Sequence, residues 1–166
     1  MPHLLFCLFI VSACFLFSAC QGYDVKVNDK VVYAPKPLFR DFTVPDPGLN
    51  GCLEQAINDG VITGAQQLTT LDCSFAGIEN LEGLSTFTGL TVLRLSANQV
   101  RNLVELATLS RLEALYLDDN KVVDPVPLGQ LPSLRHLDLS GNPKLQCPRP
   151  GSLAQVTTVI LPKHCQ

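Results

Sequence analysis

The sequence predicts an α/β solenoid: a short right-handed coil with a parallel sheet on one face, 3₁₀ or helical returns on the other, and a helical cap at its amino end. Three observations predict it. Leu68, Leu90, Leu112 and Leu134 stand 22 residues apart, and Val156 continues the count. Within each unit the apolar residues first alternate and then recur every three positions. Before the first unit, the run from Asp46 to Gly60 places its apolar residues on one helical face.

The units read LTTLDCSFAGI, LTVLRLSANQV, LEALYLDDNKV, LRHLDLSGNPKL and VTTVILPKHC. Their common form, L-x-x-L-x-L-x-x-N-x-[LVI], is that of a leucine-rich repeat. In the L-x-L portion, Leu93 and Leu95 point one way and Arg94 the other, which is strand periodicity. Beyond it Val100, Leu103, Leu106 and Leu109 recur every three residues, which suits a tight 3₁₀-like return. The first unit fills these places with Leu68, Leu71, Cys73, Ile78, Leu81, Leu84 and Phe87. The third uses Leu112, Leu115, Leu117, Val122, Leu128 and Leu131, with Pro125 as the odd member. Neither a strand nor its return can bury its apolar side alone, so stacking must form one continuous leucine core.

Asn98, Asn120 and Asn142 share one repeat position, where the strand turns into the return. A buried turn leaves backbone N–H and C=O groups without partners, and an asparagine amide can satisfy both kinds. Stacked asparagines therefore predict a structural ladder rather than a catalytic set. Ala76 and His164 hold the position in the end units, so the ladder should stop there.

The caps follow from the same logic, because an uncovered end would expose core leucines to water. Asp46-Pro47 opens the amino-terminal helix, Leu49, Cys52, Leu53, Ala56 and Ile57 form its apolar face, and Asp59-Gly60 ends it. After Asn142 the period is disturbed by Pro143, Pro148, Pro150 and Gly151, although Leu153 returns to register. That loop and the last strand make the other cap. Upstream, Tyr23 to Tyr33 alternates around Asn28-Asp29 as a small hairpin would, and Ala34-Pro35-Lys36-Pro37 breaks regular structure. The expected organisation is thus a signal peptide at 1–19, a lipidated cysteine, tether and hairpin at 20–44, and a helical cap at 45–67. Repeats follow at 68–155, with a terminal strand and cap at 156–166.

Residues 4–17 are almost wholly apolar, and no charged side chain precedes Asp24. The stretch is short for a membrane span of roughly 20 residues and fits a signal-peptide core. Phe17-Ser18-Ala19-Cys20 resembles the bacterial lipobox, whose cysteine is lipidated and becomes the first mature residue. Phe17 in place of leucine and the absence of Lys or Arg from Met1-Pro2-His3 are departures from that pattern. Val11-Ser12-Ala13-Cys14 is a rival, but cleavage there would leave Phe15-Leu16-Phe17 on the mature start, so Cys20 is preferred. An ordinary secretory signal or an uncleaved anchor is the alternative. In the lipoproteins this resembles, Gln21 after the lipid site implies outer-membrane sorting.

With Cys7 and Cys14 removed and Cys20 lipidated, Cys52, Cys73, Cys147 and Cys165 remain, an even number in an oxidising location. Of three pairings, Cys52–Cys73 and Cys147–Cys165 are favoured because each joins a cap to its neighbouring repeat. Closing a loop of about 20 residues is worth roughly 3 kcal/mol in the chain-entropy model. The competing reading makes Cys73 a small buried apolar residue at a leucine position. The absence of C-x-x-C or H-x-x-x-H spacing argues against a metal site.

From Pro45 to Cys165 the chain resembles the bacterial leucine-rich repeat proteins of the 22-residue, internalin-like class. The carrying residues are V-P-D-P-G-L-N-G-C-L-E-Q-A-I and L-T-T-L-D-C-S, which are similar to that group's helical cap and first repeat. The resemblance implies protein–protein recognition through the strand face, without implying a target. Outward residues at the strand centres are Asp72, Arg94, Tyr116, Asp138 and Ile160. Val92, Glu113, Ala114, Arg135 and His136 lie beside them, with Asp118, Asp119 and Phe75 near the strand ends. Tyr116 flanked by Arg94 and His136 is a combination enriched at interface hot spots. The expected partner-binding set is Asp72, Arg94, Tyr116, Asp118, His136 and Asp138.

No G-x-S-x-G, H-E-x-x-H or phosphate loop is present, so the chain reads as a binding protein rather than an enzyme, without a cofactor. With 12 basic against 15 acidic residues it is mildly acidic, which disfavours nucleic acid. The sequence therefore predicts an envelope protein anchored to the membrane by its amino-terminal lipid and recognising an unknown protein there. The alternatives are a structural envelope lipoprotein and a carbohydrate or peptidoglycan binder, the latter weakened by the single central aromatic, Tyr116.

Overall fold

The computed structural model describes residues 25–28, 30–33 and 36–166. The signal segment and both candidate lipid sites, Cys14 and Cys20, lie outside the described residues. Two compact units emerge, divided between Pro37 and Leu38. The smaller contains a hairpin of β1 (Val25–Val27) and β2 (Lys30–Tyr33), antiparallel, with Val27 opposite Lys30. Asn28 turns it at φ 49°, a left-handed angle that asparagine tolerates better than most residues.

The larger unit is a solenoid. Helix α1 (Pro47–Asp59) begins after Asp46, with Pro47 in the first turn where a missing N–H costs nothing. Leu49, Leu53 and Ile57 are spaced four apart on its inner face and have no exposed surface. Five parallel strands follow: β3 (Thr70–Asp72), β4 (Val92–Arg94), β5 (Ala114–Tyr116), β6 (His136–Asp138) and β7 (Thr158–Ile160). Every register step pairs residues 22 apart, so Leu71, Leu93, Leu115, Leu137 and Val159 share one inward row. The opposite side of the coil carries 3₁₀ segments at Leu84–Thr86, Val104–Thr108 and Val126–Gln130, as the three-residue spacing predicts. A buried core runs unbroken from Val44 to Leu145, and Pro125 is buried in it at the place of Leu81 and Leu103.

The tether expected at 20–44 is shorter than the sequence reading allows. Leu38, Phe39 and Phe42 pack against the solenoid core, and the Phe39 N–H donates to the Ile62 carbonyl at 2.8 Å. Phe39 and Phe42 both meet Phe87 edge-on, with ring centroids 6.0 and 5.3 Å away. These aromatics close the space beside α1, so the amino-terminal cap begins at Leu38. An irregular segment has no period, which is why the pattern concealed it.

The period also governs a strained position. Phe75, Ala97, Asp119 and Gly141, each 22 residues after the last, all have positive φ, at 59°, 54°, 53° and 68°. Here the chain leaves the strand and turns toward the buried asparagine. Gly141 is at ease there, and a side chain would press on the Asp119 backbone N at 2.8 Å. Ala97 and Phe75 bear a strain of about 1–2 kcal/mol each. Among the described residues no helix is long and apolar enough to cross a membrane.

Candidate functional site

The outer face of the sheet is two rows deep. One row is Thr70, Val92, Ala114, His136 and Thr158; the other is Asp72, Arg94, Tyr116, Asp138 and Ile160. Strands about 4.8 Å apart give this face a width of roughly 20 Å. At its centre three planar groups stack. The Arg94 guanidinium carbon lies 4.0 Å from the Tyr116 ring centroid. The His136 ring sits on the other flank of Tyr116, 4.9 Å between centroids and tilted by 40°. His136 is in the neighbouring row, so the stack runs diagonally, and all three residues are half-buried. A cation over an aromatic face at such a site contributes about 0.5–1 kcal/mol, and the arrangement limits the rotamers of all three groups.

The carboxylates around the stack are held locally. The Ser74 hydroxyl donates to Asp72 Oδ1 at 2.7 Å, Ser96 to Asp118 Oδ1 at 2.6 Å, and Ser140 to Asp138 Oδ1 at 2.7 Å. Backbone N–H groups of Ser74 and Ser140 donate to the same oxygens of Asp72 and Asp138. Asp72 on β3 and Asp138 on β6 are three strands apart, about 14 Å. The predicted set is therefore one surface with an aromatic–cationic centre and a polar rim, not a convergent cluster. Arg135, expected on the face, serves the backbone instead: its Nη1 donates to the carbonyls of Pro132, Leu134 and Gln155. Phe75 is 82% exposed at the rim.

Behind the face, the asparagines hold the turns. Asn120 Oδ1 accepts from the Val100 N–H at 2.9 Å, while its Nδ2 donates to the Leu95, Leu117 and Asp118 carbonyls. Asn98 and Asn142 repeat the pattern one unit earlier and later. At the carboxyl end His164 takes the position, and its Nε2 lies 2.9 Å from the Leu145 carbonyl. At the amino end Ala76 has no polar side chain, and Gly48 of α1 approaches its carbonyl too closely for any other residue.

Asp46 joins the helical cap to the first repeat through a different set of bonds. Its Oδ1 caps α1 by accepting from the Leu49 N–H at 3.0 Å. Its Oδ2 accepts from the N–H groups of Glu79 and Asn80 at 2.9 and 3.0 Å, across more than 30 residues of chain. Burial works to raise the Asp46 carboxyl, but backbone donors at Leu49, Glu79, Asn80 and Gly48 outweigh it and hold it below its ordinary value. The sequence shows Asp46 only as a helix cap, because its second task depends on distant chain. The serines could have been found, since Ser74, Ser96 and Ser140 share a repeat position.

Two disulfides staple the ends. Cys52 of α1 is bridged to Cys73 after β3, with Cα atoms 5.7 Å apart. Cys147 is bridged to Cys165, with Cα atoms 5.3 Å apart. Each ties a cap to its adjoining repeat.

Residues 110–149 match the family model described as Leucine Rich repeats (2 copies). No curated protein matches the chain. Among solved structures, the internalin inlF from Listeria monocytogenes is 24% identical over 72% of this chain and 37% of its own, with a TM-score of 0.65. Internalin C2 from the same organism is 38% identical over 51% of this chain and 37% of its own, with a TM-score of 0.48. Internalin InlJ, also from Listeria monocytogenes, is 24% identical over 58% of this chain and 26% of its own, at 0.43. The chain thus spans little more than a third of the first two structures. The repeat match and the likeness to inlF show the fold: this chain is a leucine-rich repeat solenoid with one parallel sheet, 3₁₀ turns and a helical cap.

Proposed function

We propose that this chain is a recognition protein that engages another protein through its strand face, displayed at a bacterial cell envelope by a lipid on Cys20. The observation that carries the reading is the Arg94–Tyr116–His136 stack at the centre of an open sheet. Side chains already ordered lose little entropy on binding, and Arg and Tyr are the types that dominate interface energetics. Asp72, Asp118 and Asp138, each oriented by a serine, give the rim a fixed polar pattern that favours one register of a partner. A face roughly 20 Å wide suits a peptide or a small domain surface.

The anchoring half of the proposal rests on the apolar leader, the small residues before Cys20 and the two disulfides, which suit an oxidising compartment outside the cytoplasm. Residues 1–19 are removed in this reading, Gln21 sends the lipoprotein to the outer membrane, and the stretch before Leu38 spaces the solenoid from the bilayer.

Two substitutions on the face test recognition. Proteins retained from membrane extracts by the wild-type chain should be lost with Arg94→Ala/Tyr116→Ala; an unchanged set defeats the recognition reading and favours a structural envelope role. Cys20→Ser should release the protein in soluble form, whereas continued membrane association would indicate Cys14 or an uncleaved leader. Mass spectrometry of the mature amino terminus reads cleavage site and lipid together.

A further inference from the structure

Cys147 and the pair His164-Cys165 lie at opposite ends of the carboxyl-terminal cap loop, 18 residues apart along the chain. The fold brings them together: both sulfurs and one imidazole nitrogen lie within 4.8 Å of one another. Reductants reach this bridge more readily than the other one. Cys147 is exposed, whereas Cys73 in the amino-terminal bridge is 2% exposed. Cys147 also lines a cleft of about 300 Å³ with Gln146, Arg149 and Ser152, room enough for an incoming thiolate. His164 stands where three earlier repeats have asparagine. Its Nε2 faces the Leu145 carbonyl at 2.9 Å, and a carbonyl only accepts, so Nε2 carries the proton and Nδ1 keeps the lone pair. A ligating histidine is commonly oriented by just such a carbonyl on its other nitrogen.

We propose that reduction of the Cys147–Cys165 bridge turns the carboxyl-terminal cap into a metal site, in which two thiolates and the His164 imidazole hold a zinc-like divalent cation with a fourth position open. A dithiol reductant supplies the electrons. Its thiolate attacks Cys147 Sγ, the S–S bond breaks and Cys165 leaves as thiolate. The second thiol of the reductant then attacks the mixed disulfide, freeing Cys147 and leaving the reductant as its own cyclic disulfide. The two thiol protons are released when the cation binds. Tetrahedral zinc holds thiolate sulfurs about 3.8 Å apart, so on reduction the two sulfurs must separate to that distance beside an imidazole nitrogen already within 4.8 Å of them. The site thus keeps the cap tied to the last repeat when the covalent staple is open. It escapes motif reading because its ligands do not share a short spacing.

Titration of the full chain with Co²⁺ tests this, with and without prior dithiol reduction and removal of the reductant. The oxidised chain should bind no cobalt at this cap. The reduced chain should take up one equivalent and develop a thiolate-to-cobalt charge-transfer band that Zn²⁺ displaces. His164→Ala should weaken binding at least about tenfold, and Cys147→Ser/Cys165→Ser, which retains Cys52 and Cys73, should abolish the band. Absence of a band in the reduced wild type overturns the proposal, whether or not circular dichroism shows the fold retained. So does a band that survives Cys147→Ser/Cys165→Ser, or binding unaltered by His164→Ala.

Discussion

At the amino end of the solenoid, α1 lays Leu49, Leu53 and Ile57 on the first repeat with no exposed surface, whereas at the carboxyl end Leu153, Val156, Val159 and Leu161 are only partly covered. Both ends face the same problem, an open stack of leucines. The amino end answers it with a helix, three interlocked phenylalanines, a carboxylate that joins cap to repeat and the Cys52–Cys73 bridge. The carboxyl end answers it with a proline-rich loop, a bridge and one histidine hydrogen bond. Each end carries a disulfide, but at the first it is backed by fully buried apolar packing, whereas at the second its apolar neighbours are only partly covered. A short solenoid can therefore be firm at one end and conditional at the other.

The sharpest way to break that contrast is to open the firm end. Phe87→Ala removes a fully buried ring that carries both Phe39 and Phe42, and should cost about 3–5 kcal/mol in urea unfolding. Leu161→Ala, at the partly covered end, should cost clearly less; equal losses would mean that the ends are closed equally well. Next comes the ladder. Asn120→Ala leaves the Val100 N–H without a partner in a buried turn, while the Leu95 carbonyl keeps its bond from Asn98 Nδ2, an expected loss of about 1–3 kcal/mol. His164→Ala, with a single bond at an exposed position, should lose about 1 kcal/mol or less in the same assay.

Asp46 distinguishes the amino end by pH. Its carboxyl titrates lower in the folded chain than in the unfolded one, so the stability it adds is complete above the unfolded value near pH 4 and is lost as pH falls through the folded value. Asp46→Ala should cost about 2 kcal/mol at pH 7, from one lost cap and two freed N–H groups. The gap between wild type and variant should narrow in urea midpoints measured from pH 5 down to pH 2; a constant gap would remove the carboxylate from the account. The smallest effect lies in the repeats themselves. Ala97→Gly relieves a left-handed angle at a position where Gly141 already stands, and should stabilise by up to about 1 kcal/mol in thermal unfolding. Gly141→Ala should act oppositely, because a side chain there meets the Asp119 backbone.

Much of this molecule is legible in its chain. Leucines 22 apart announce the sheet register, Leu103 and Leu106 the 3₁₀ return, and Asn98, Asn120 and Asn142 the turn they hold. Asp46-Pro47 marks the start of α1. The rest depends on contacts that no local pattern encodes. Phe39 and Phe42 read as tether because nothing near them repeats, yet they meet Phe87. Arg135 reads as a surface cation although its guanidinium serves three carbonyls. Phe75 reads as a residue near a strand end of the face, and only its backbone angle reveals the strain.

By itself the sequence determined the repeat and the face that the central strand residues take, and it proposed the candidate binding residues. These follow from the two-residue period of a strand and the fixed step between units, which are local properties of the chain. Only the tertiary structure decided which of those residues touch. The diagonal stack of Arg94, Tyr116 and His136 arises from the lateral spacing of strands, not from any spacing within one. The double task of Asp46 and the meeting of Cys147 with His164 and Cys165 depend likewise on how the ends fold back on the coil. Periodicity reports what one unit does; closure is a property of the whole stack, because only there do segments far apart in the chain share a surface.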